Sequence, residues 1–337
     1  MEIKNLLFTL SELDAVGSVT DAGDKAYEIL SAYAETQKTD NLTVIGFLKG
    51  KTDYTDMLGA HIDQIAMVVT DIDDNGFVTV SNAGGIDIRA LASRQVTIHG
   101  KEKIPAVFCS TPPHLSSGET EYNDICAIKL DTLLGAKAKE VISLGDYVTF
   151  SGKCFDLQNG LVCGRSFDDR AAVVCLLEVA KRLSGKKLPC NVAFVLSDGE
   201  ELGLRGIRTA SFKVNPCEAV AVDVTFGDGK DISSDECGKL GEGGMIGVSP
   251  ALDKTVSKKL ISVAKHNNIP YRIEVMGERT STNADMIGVT REGVKVTTLS
   301  IPIRNMHTEV EILDIKDLQS VCDLLEKYIL SGGAMNG

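Results

Sequence analysis

Apolar runs of strand length alternate with amphipathic helical periods at both ends of the chain, and a β-rich tract separates the two stretches. In the first stretch, helical spacing marks residues 5–13 and 22–35. The runs at 42–48 and 60–69 read as strands, the second with its polar residues near the start. From about residue 160 the alternation resumes. Ala172, Val173, Leu176, Leu177, Ala180 and Leu183 recur at helical spacing and predict a helix over 169–183. Strands follow at 191–196 and 219–224, a helix at 253–266, strands at 271–275 and 295–301, and a closing helix at 313–330. Strands interleaved with helices in this way point to an α/β layer architecture.

Between residues 70 and 154 the texture changes. Strand-length runs at 76–80, 95–98, 106–108 and 146–150 are punctuated by the turn signals Asp74-Asn-Gly76 and Ala83-Gly-Gly85. One helical stretch stands out, around 131–140. A small β-barrel or sandwich fits this pattern. The expected organisation is a discontinuous α/β domain of residues 1–69 plus 160–337, with 70–159 inserted into it.

The chain of 337 residues suffices for one large domain or a core domain with a smaller companion. Its formal net charge of -12 argues against a nucleic-acid or anionic-membrane partner. No apolar stretch is long enough to span a bilayer, and the N-terminus lacks the basic-then-apolar order of a secretory signal. The nine cysteines, Cys126 among them, are scattered and form no Cys-x-x-Cys pair. That disfavours a thiolate zinc site or a disulfide framework, and a reducing cytoplasm is the expected compartment.

The candidate chemistry lies where strands end. Glu200 and Glu201 follow the apolar run 191–196 directly, in Ser-Asp-Gly-Glu-Glu-Leu-Gly. Two adjacent carboxylates repel and resist desolvation unless water or cations neutralise them. Asp223 interrupts a buried-strand pattern, where a carboxylate needs a partner. His61 and Asp63, the pair Asp168 and Asp169, and His307 complete the set. In open α/β sheets ligands bind beyond the carboxyl ends of the strands, which is where these segments point. Imidazoles mixed with carboxylates suit zinc, cobalt or manganese, and two imidazoles with several carboxylates can serve two ions. A carboxylate outside the ligand set is then free for proton transfer. The glycine-rich stretch 238–247 lacks the phosphate-loop pattern, which disfavours nucleotide binding.

Five motifs occur in a telling order: Ala60-His-Ile-Asp-Gln-Ile, Ser166-Phe-Asp-Asp-Arg170, Glu200-Glu-Leu-Gly-Leu-Arg-Gly206, Ala221-Val-Asp-Val224 and Ile301-Pro-Ile-Arg-Asn-Met-His307. With them, the sequence resembles the glutamyl/tetrahedral aminopeptidases, dinuclear metallopeptidases some of whose members carry an endoglucanase label. The resemblance spans nearly the whole chain. It implies a mixed-sheet α/β metallopeptidase domain flanked by helices, with the insertion a PDZ-like β-barrel used in dimerisation and in building a tetrahedral dodecamer. It implies two divalent ions per subunit, zinc first, with cobalt or manganese as alternatives. His61, Asp168 and Asp223 would hold one ion. Asp168, as the bridge, Glu201 and His307 would hold the other. Glu200 would be the general base and acid, and Asp63 would orient His61. A cis peptide after Asp168 is implied as well. The departures are Gln64 for the family's Glu, Asn283 for its Asp, Asn305 for its Tyr, and no Ser-Gly-x-Glu around residues 17–20.

The expected activity is removal of N-terminal residues from peptides. A deacylase acting on another amide and a non-catalytic assembly protein are the rivals. Asp228, Asp231, Asp235 and Glu236 follow Asp223 in a loop that could attract a basic side chain or form a solvated rim.

Overall fold

A computed structural model describes residues 2–110, 112, 114, 125, 128–229, 232–233 and 237–332. Cys126, Asp231, Asp235 and Glu236 lie outside the described residues. Two helices, α1 (Ile3–Ser11) and α2 (Asp21–Ser31), open the chain, followed by strands β1 (Glu35–Lys38), β2 (Val44–Leu48) and β3 (Thr55–His61). Strands β4 (Ala66–Ile72), β5 (Val78–Ala83), β6 (Gln95–His99), β7 (Lys103–Phe108), β8 (Leu130–Asp131) and β9 (Tyr147–Phe150) come next, with the short helix α3 (Ala138–Val141) before β9. Strands β10 (Phe155–Asp156) and β11 (Leu161–Gly164) lead into the central helix α4 (Phe167–Leu183) and β12 (Asn191–Ser197). Helix α5 (Arg205–Val214), β13 (Glu218–Phe226), β14 (Gly244–Val248), α6 (Lys254–His266) and β15 (Tyr271–Val275) follow. The chain closes with α7 (Ala284–Gly288), β16 (Lys295–Ile303), β17 (Glu311–Asp314) and α8 (Ile315–Leu330).

The main sheet is mixed, in the order β1-β2-β12-β3-β13-β16-β14-β15. Its centre, β12-β3-β13-β16, is parallel, so four carboxyl ends face the same way. Strands of this kind are buried on both faces and read as near-continuous apolar runs. Leu58, Val220, Val222 and Leu299 point into the layer under α1, α2, α4 and α8. Met57, Ala219, Ala221 and Val296 point into the layer under α5 and α7. Helix α4 is buried almost all round, which explains why its apolar residues are not confined to one stripe. The second unit is a closed antiparallel barrel, β4-β5-β8-β7-β6-β9, with its own core of Met67, Val80, Ile98, Leu130 and Val148. The barrel reading of the β-rich tract is therefore the right one of the two.

Several elements differ from the pattern-based expectation. The run 60–69 is not one strand but the end of β3 and the start of β4. The chain breaks at Ile62–Ile65 because Asp63 turns to accept two backbone N–H groups from the segment after β12. The helix at 131–140 is only a turn of 3-10 helix at Gly135–Lys137 plus α3. Strand β14 escapes notice because glycines surround it. The first two positions of the expected closing helix at 313–330 instead end strand β17; Asp314 caps α8 by accepting the Lys316 N–H. The described cysteines are free thiols. Among the described residues, no helix is long and apolar enough to cross a membrane.

Candidate metal centre

The four parallel carboxyl ends deliver the expected side chains to one place. His61 is the last residue of β3, Asp223 lies near the end of β13, Glu200 and Glu201 sit in the loop after β12, and His307 lies in the loop after β16. Helix α4 brings Asp168 and Asp169 in from its N-terminal turn, where both depart from helical backbone angles. The peptide bond between them is cis.

Asp168 is the centre of the arrangement. Its Oδ1 lies 3.1 Å from His61 Nε2 and its Oδ2 lies 3.1 Å from His307 Nε2. His307 Nε2 is also 3.5 Å from Glu201 Oε1, and His61 Nε2 is 3.8 Å from Asp223 Oδ1. Two compact donor groups result, His61 with Asp169 and Asp223, and Asp168 with Glu201 and His307. Asp169 is the addition. Its Oδ2 accepts the His61 N–H at 3.1 Å, while its Oδ1, also buried, has no hydrogen-bond partner. Glu200 Oε2 lies 3.9 Å from His61 Nε2.

The electrostatics are those of stored negative charge. Burial, reinforced by neighbouring carboxylates, lifts Asp169, Glu200 and Asp223 and pushes Glu201 up to about 8. The bond to Asp168, with Glu201 close by, lifts His307 to about 9. Burial works against a charged His61, yet Glu200, Asp168 and Asp63 outweigh it and raise that imidazole too. Burial also opposes ionisation of Asp168, but the two imidazoles bonded to it hold it well below the usual carboxylate range. Two imidazoles, several carboxylates and an orphaned buried oxygen form a donor set that fits divalent ions.

Asp63 does more than face His61. Its two carboxylate oxygens accept the N–H groups of Glu200 and Glu201, at 3.0 and 3.1 Å. His61 Nδ1 lies 3.2 Å from the Asp63 carbonyl oxygen and 3.5 Å from Oδ1. A residue that sequence reasoning missed, Glu311, performs the matching task opposite. Buried in β17, it accepts the Asp168 N–H at 3.1 Å and the His307 N–H at 2.9 Å. Its only signal in the sequence is a carboxylate beside an apolar pair, four residues after His307.

The departures also find places. Gln64 Oε1 accepts from the buried Arg170 at 3.1 Å and from the Ala15 N–H at 3.3 Å. Asn283 donates to Ser197 Oγ at 3.1 Å, leaving its own buried oxygen without a partner. Asn305 has a positive φ of 56°, a backbone state that Asn tolerates well. Asp228, in the acidic loop, is paired with Arg304 at 2.9 Å. His99 lies in the barrel, against Thr149 and Asp14, away from the centre.

Known proteins resemble this chain over most of its length. Lysyl aminopeptidase of Pyrococcus furiosus is 30% identical over 315 residues, covering 91% of this chain and 90% of that protein. An aminopeptidase structure from Desulfurococcus kamchatkensis superposes with a TM-score of 0.91 at 27% identity, covering 98% of this chain and 95% of that one. The TET1 peptidase of Pyrococcus horikoshii, described as assembling into a tetrahedron or a large octahedral shell, gives a TM-score of 0.87 at 26% identity, covering 98% of this chain and 99% of that one. Residues 43–324 match the M42 glutamyl aminopeptidase family, and the chain belongs to that family.

Proposed function

We propose that the protein is a metal-dependent aminopeptidase that removes N-terminal residues from peptides. The observation that carries this reading is the position of Asp168, each carboxylate oxygen 3.1 Å from one of two imidazole nitrogens, with the Glu200 carboxylate alongside. Two divalent ions, zinc before cobalt or manganese, held by His61, Asp168 and Asp223 and by Asp168, Glu201 and His307, would acidify a water and polarise the scissile carbonyl. Glu200 takes the proton from the attacking water. As the carbon–nitrogen bond breaks, it gives a proton to the departing amine. Asp63 and Glu311 fix the backbone of Glu200, Glu201, Asp168 and His307, so the carboxylates do not need to reorganise during the reaction.

Lysyl appears in the name of one relative and glutamyl in that of the family, so kinship does not set the residue removed. Assembly of dimers into a dodecamer, with residues 70–159 as the assembly domain, and residence in the cytoplasm complete the proposal.

The test is Glu200→Gln in metal-reconstituted enzyme, assayed on an unblocked dipeptide amide and its N-acetyl counterpart. Wild type should cleave only the free amine. The variant should keep its metal content and lose about 10²–10⁴-fold in kcat. Full turnover in the variant with metals bound would remove Glu200 as the base. Cleavage of the acetylated substrate alone would favour a deacylase.

A further inference from the structure

One carboxylate near the centre takes no part in the chemistry above. Glu274 lies on the edge strand β15, in register with Gly247 of β14. The Glu274 side chain reaches past β14 to the strands beyond. Ser300 Oγ of β16 donates to its Oε2 at 2.8 Å, and Thr225 Oγ1 of β13 donates to its Oε1. Both donors stand next to a predicted metal ligand. Ser300 is the register partner of Asp223, and Thr225 follows Asp223 by two residues on the same face. The Glu274 carboxylate is thus tied to a point about 5 Å across the sheet and about 7 Å along the strand from Asp223.

Its electrostatic setting differs from that of several buried carboxylates: Asp14 has Arg165, Glu218 has Lys259, and Asp317 has the N–H groups of Gly241 and Gly243. Among the described residues, no Lys, Arg or His pairs with Glu274, only two neutral hydroxyls. Burial pushes its carboxyl upward for want of a counter-charge. The residue is half-buried rather than sealed in the core.

We propose that Glu274 is a specificity residue that selects a basic first residue, Lys or Arg, in the peptide. This rests on the aminopeptidase reading. With the scissile bond at the metal centre, the first side chain extends across β13 and β16, and a four-carbon ammonium stem or a guanidinium fork spans the distance to Glu274. A cation there supplies the missing charge-assisted partner. A carboxylate side chain would meet repulsion.

The experiment compares kcat/KM of metal-reconstituted enzyme on chromogenic amides of Lys, Arg, Nε-acetyl-Lys, Leu and Glu, in wild type and Glu274→Gln. Wild type should prefer Lys and Arg over Nε-acetyl-Lys, which matches the stem but lacks the charge. The variant should lose roughly 10–100-fold on Lys and Arg, the worth of a hydrogen bond to a charged group. Its Leu activity should stay within about 3-fold. Leu turnover without preference for Lys over Nε-acetyl-Lys would overturn the specificity role and leave the aminopeptidase reading standing. An equal loss on Leu and Lys would reduce Glu274 to a strand staple. No turnover of any free-amine substrate would overturn both readings. The wild-type comparison decides even if the variant does not fold.

Discussion

At the residue scale, the chemistry depends on carboxylates doing unlike work. Glu200 and Glu201 are neighbours in sequence, yet one faces His61 and the other His307. Asp63 sets that divergence by accepting both of their N–H groups. Asp63→Asn would keep the shape but turn one acceptor oxygen into an N–H₂ donor facing an N–H, so one of the two amides loses its partner. The expected result is a 10–100-fold fall in kcat or metal affinity, the usual cost of removing a supporting partner. Titration with zinc and steady-state kinetics on the same preparation would separate the two. An unchanged kcat and an unchanged affinity would show that the Asp63 carboxylate is dispensable.

At the element scale, the parallel strands concentrate charge at both ends. At the ends opposite the metal centre, Asp56 of β3 and Glu218 of β13 are register partners and both are buried. Cys190 Sγ donates to Asp56, Tyr328 donates to Glu218, and Lys259 lies 3.6 Å from Glu218. Burial raises Asp56 to about 6 and Glu218 to about 7. The folded protein therefore holds protons that the unfolded chain releases near pH 4. Their contribution to stability is full below about pH 4 and is lost as pH rises through about 6 to 7. Relative to an Asp56→Asn/Glu218→Gln double variant, wild-type Tm should fall between about pH 4 and 7 and level off above that. Parallel curves would show that the pair does not titrate in that window.

The same strands explain what could be read in advance. His61, Asp223 and the Glu200–Glu201 pair interrupt or end apolar runs, so polarity marks them. Asp168 and His307 gained their roles from motif order. Glu311 and Glu274 gave no such signal, because one bonds backbone amides and the other spans two strands from an edge. Both relations are set by strand order, which spacing along the chain does not carry. Glycines mask strand β14, and an apolar run hides the Ile62–Ile65 break.

For the whole molecule, the two edges of the main sheet differ in a way that bears on assembly. An open edge invites pairing with another chain, and charged side chains on it discourage that. Edge strand β1 carries exposed Glu35 and Lys38. Edge strand β15 carries Ile273, 42% exposed, and Val275, 78% exposed, on one face. Val248 of β14, the register partner of Val275, extends the patch and is 38% exposed. Single exposed apolar residues need no explanation, but a contiguous group on an unpaired edge marks a contact surface. We expect native mass spectrometry at micromolar concentration to show a closed oligomer, with twelve copies as the main species. Ile273→Asp with Val275→Asp should shift the distribution to smaller species while leaving metal content unchanged, because neither residue belongs to the candidate donor groups. A monomeric wild type would argue against assembly of this chain. An unaltered oligomer in the double variant would leave the contacts to residues 70–159, the assembly domain proposed above.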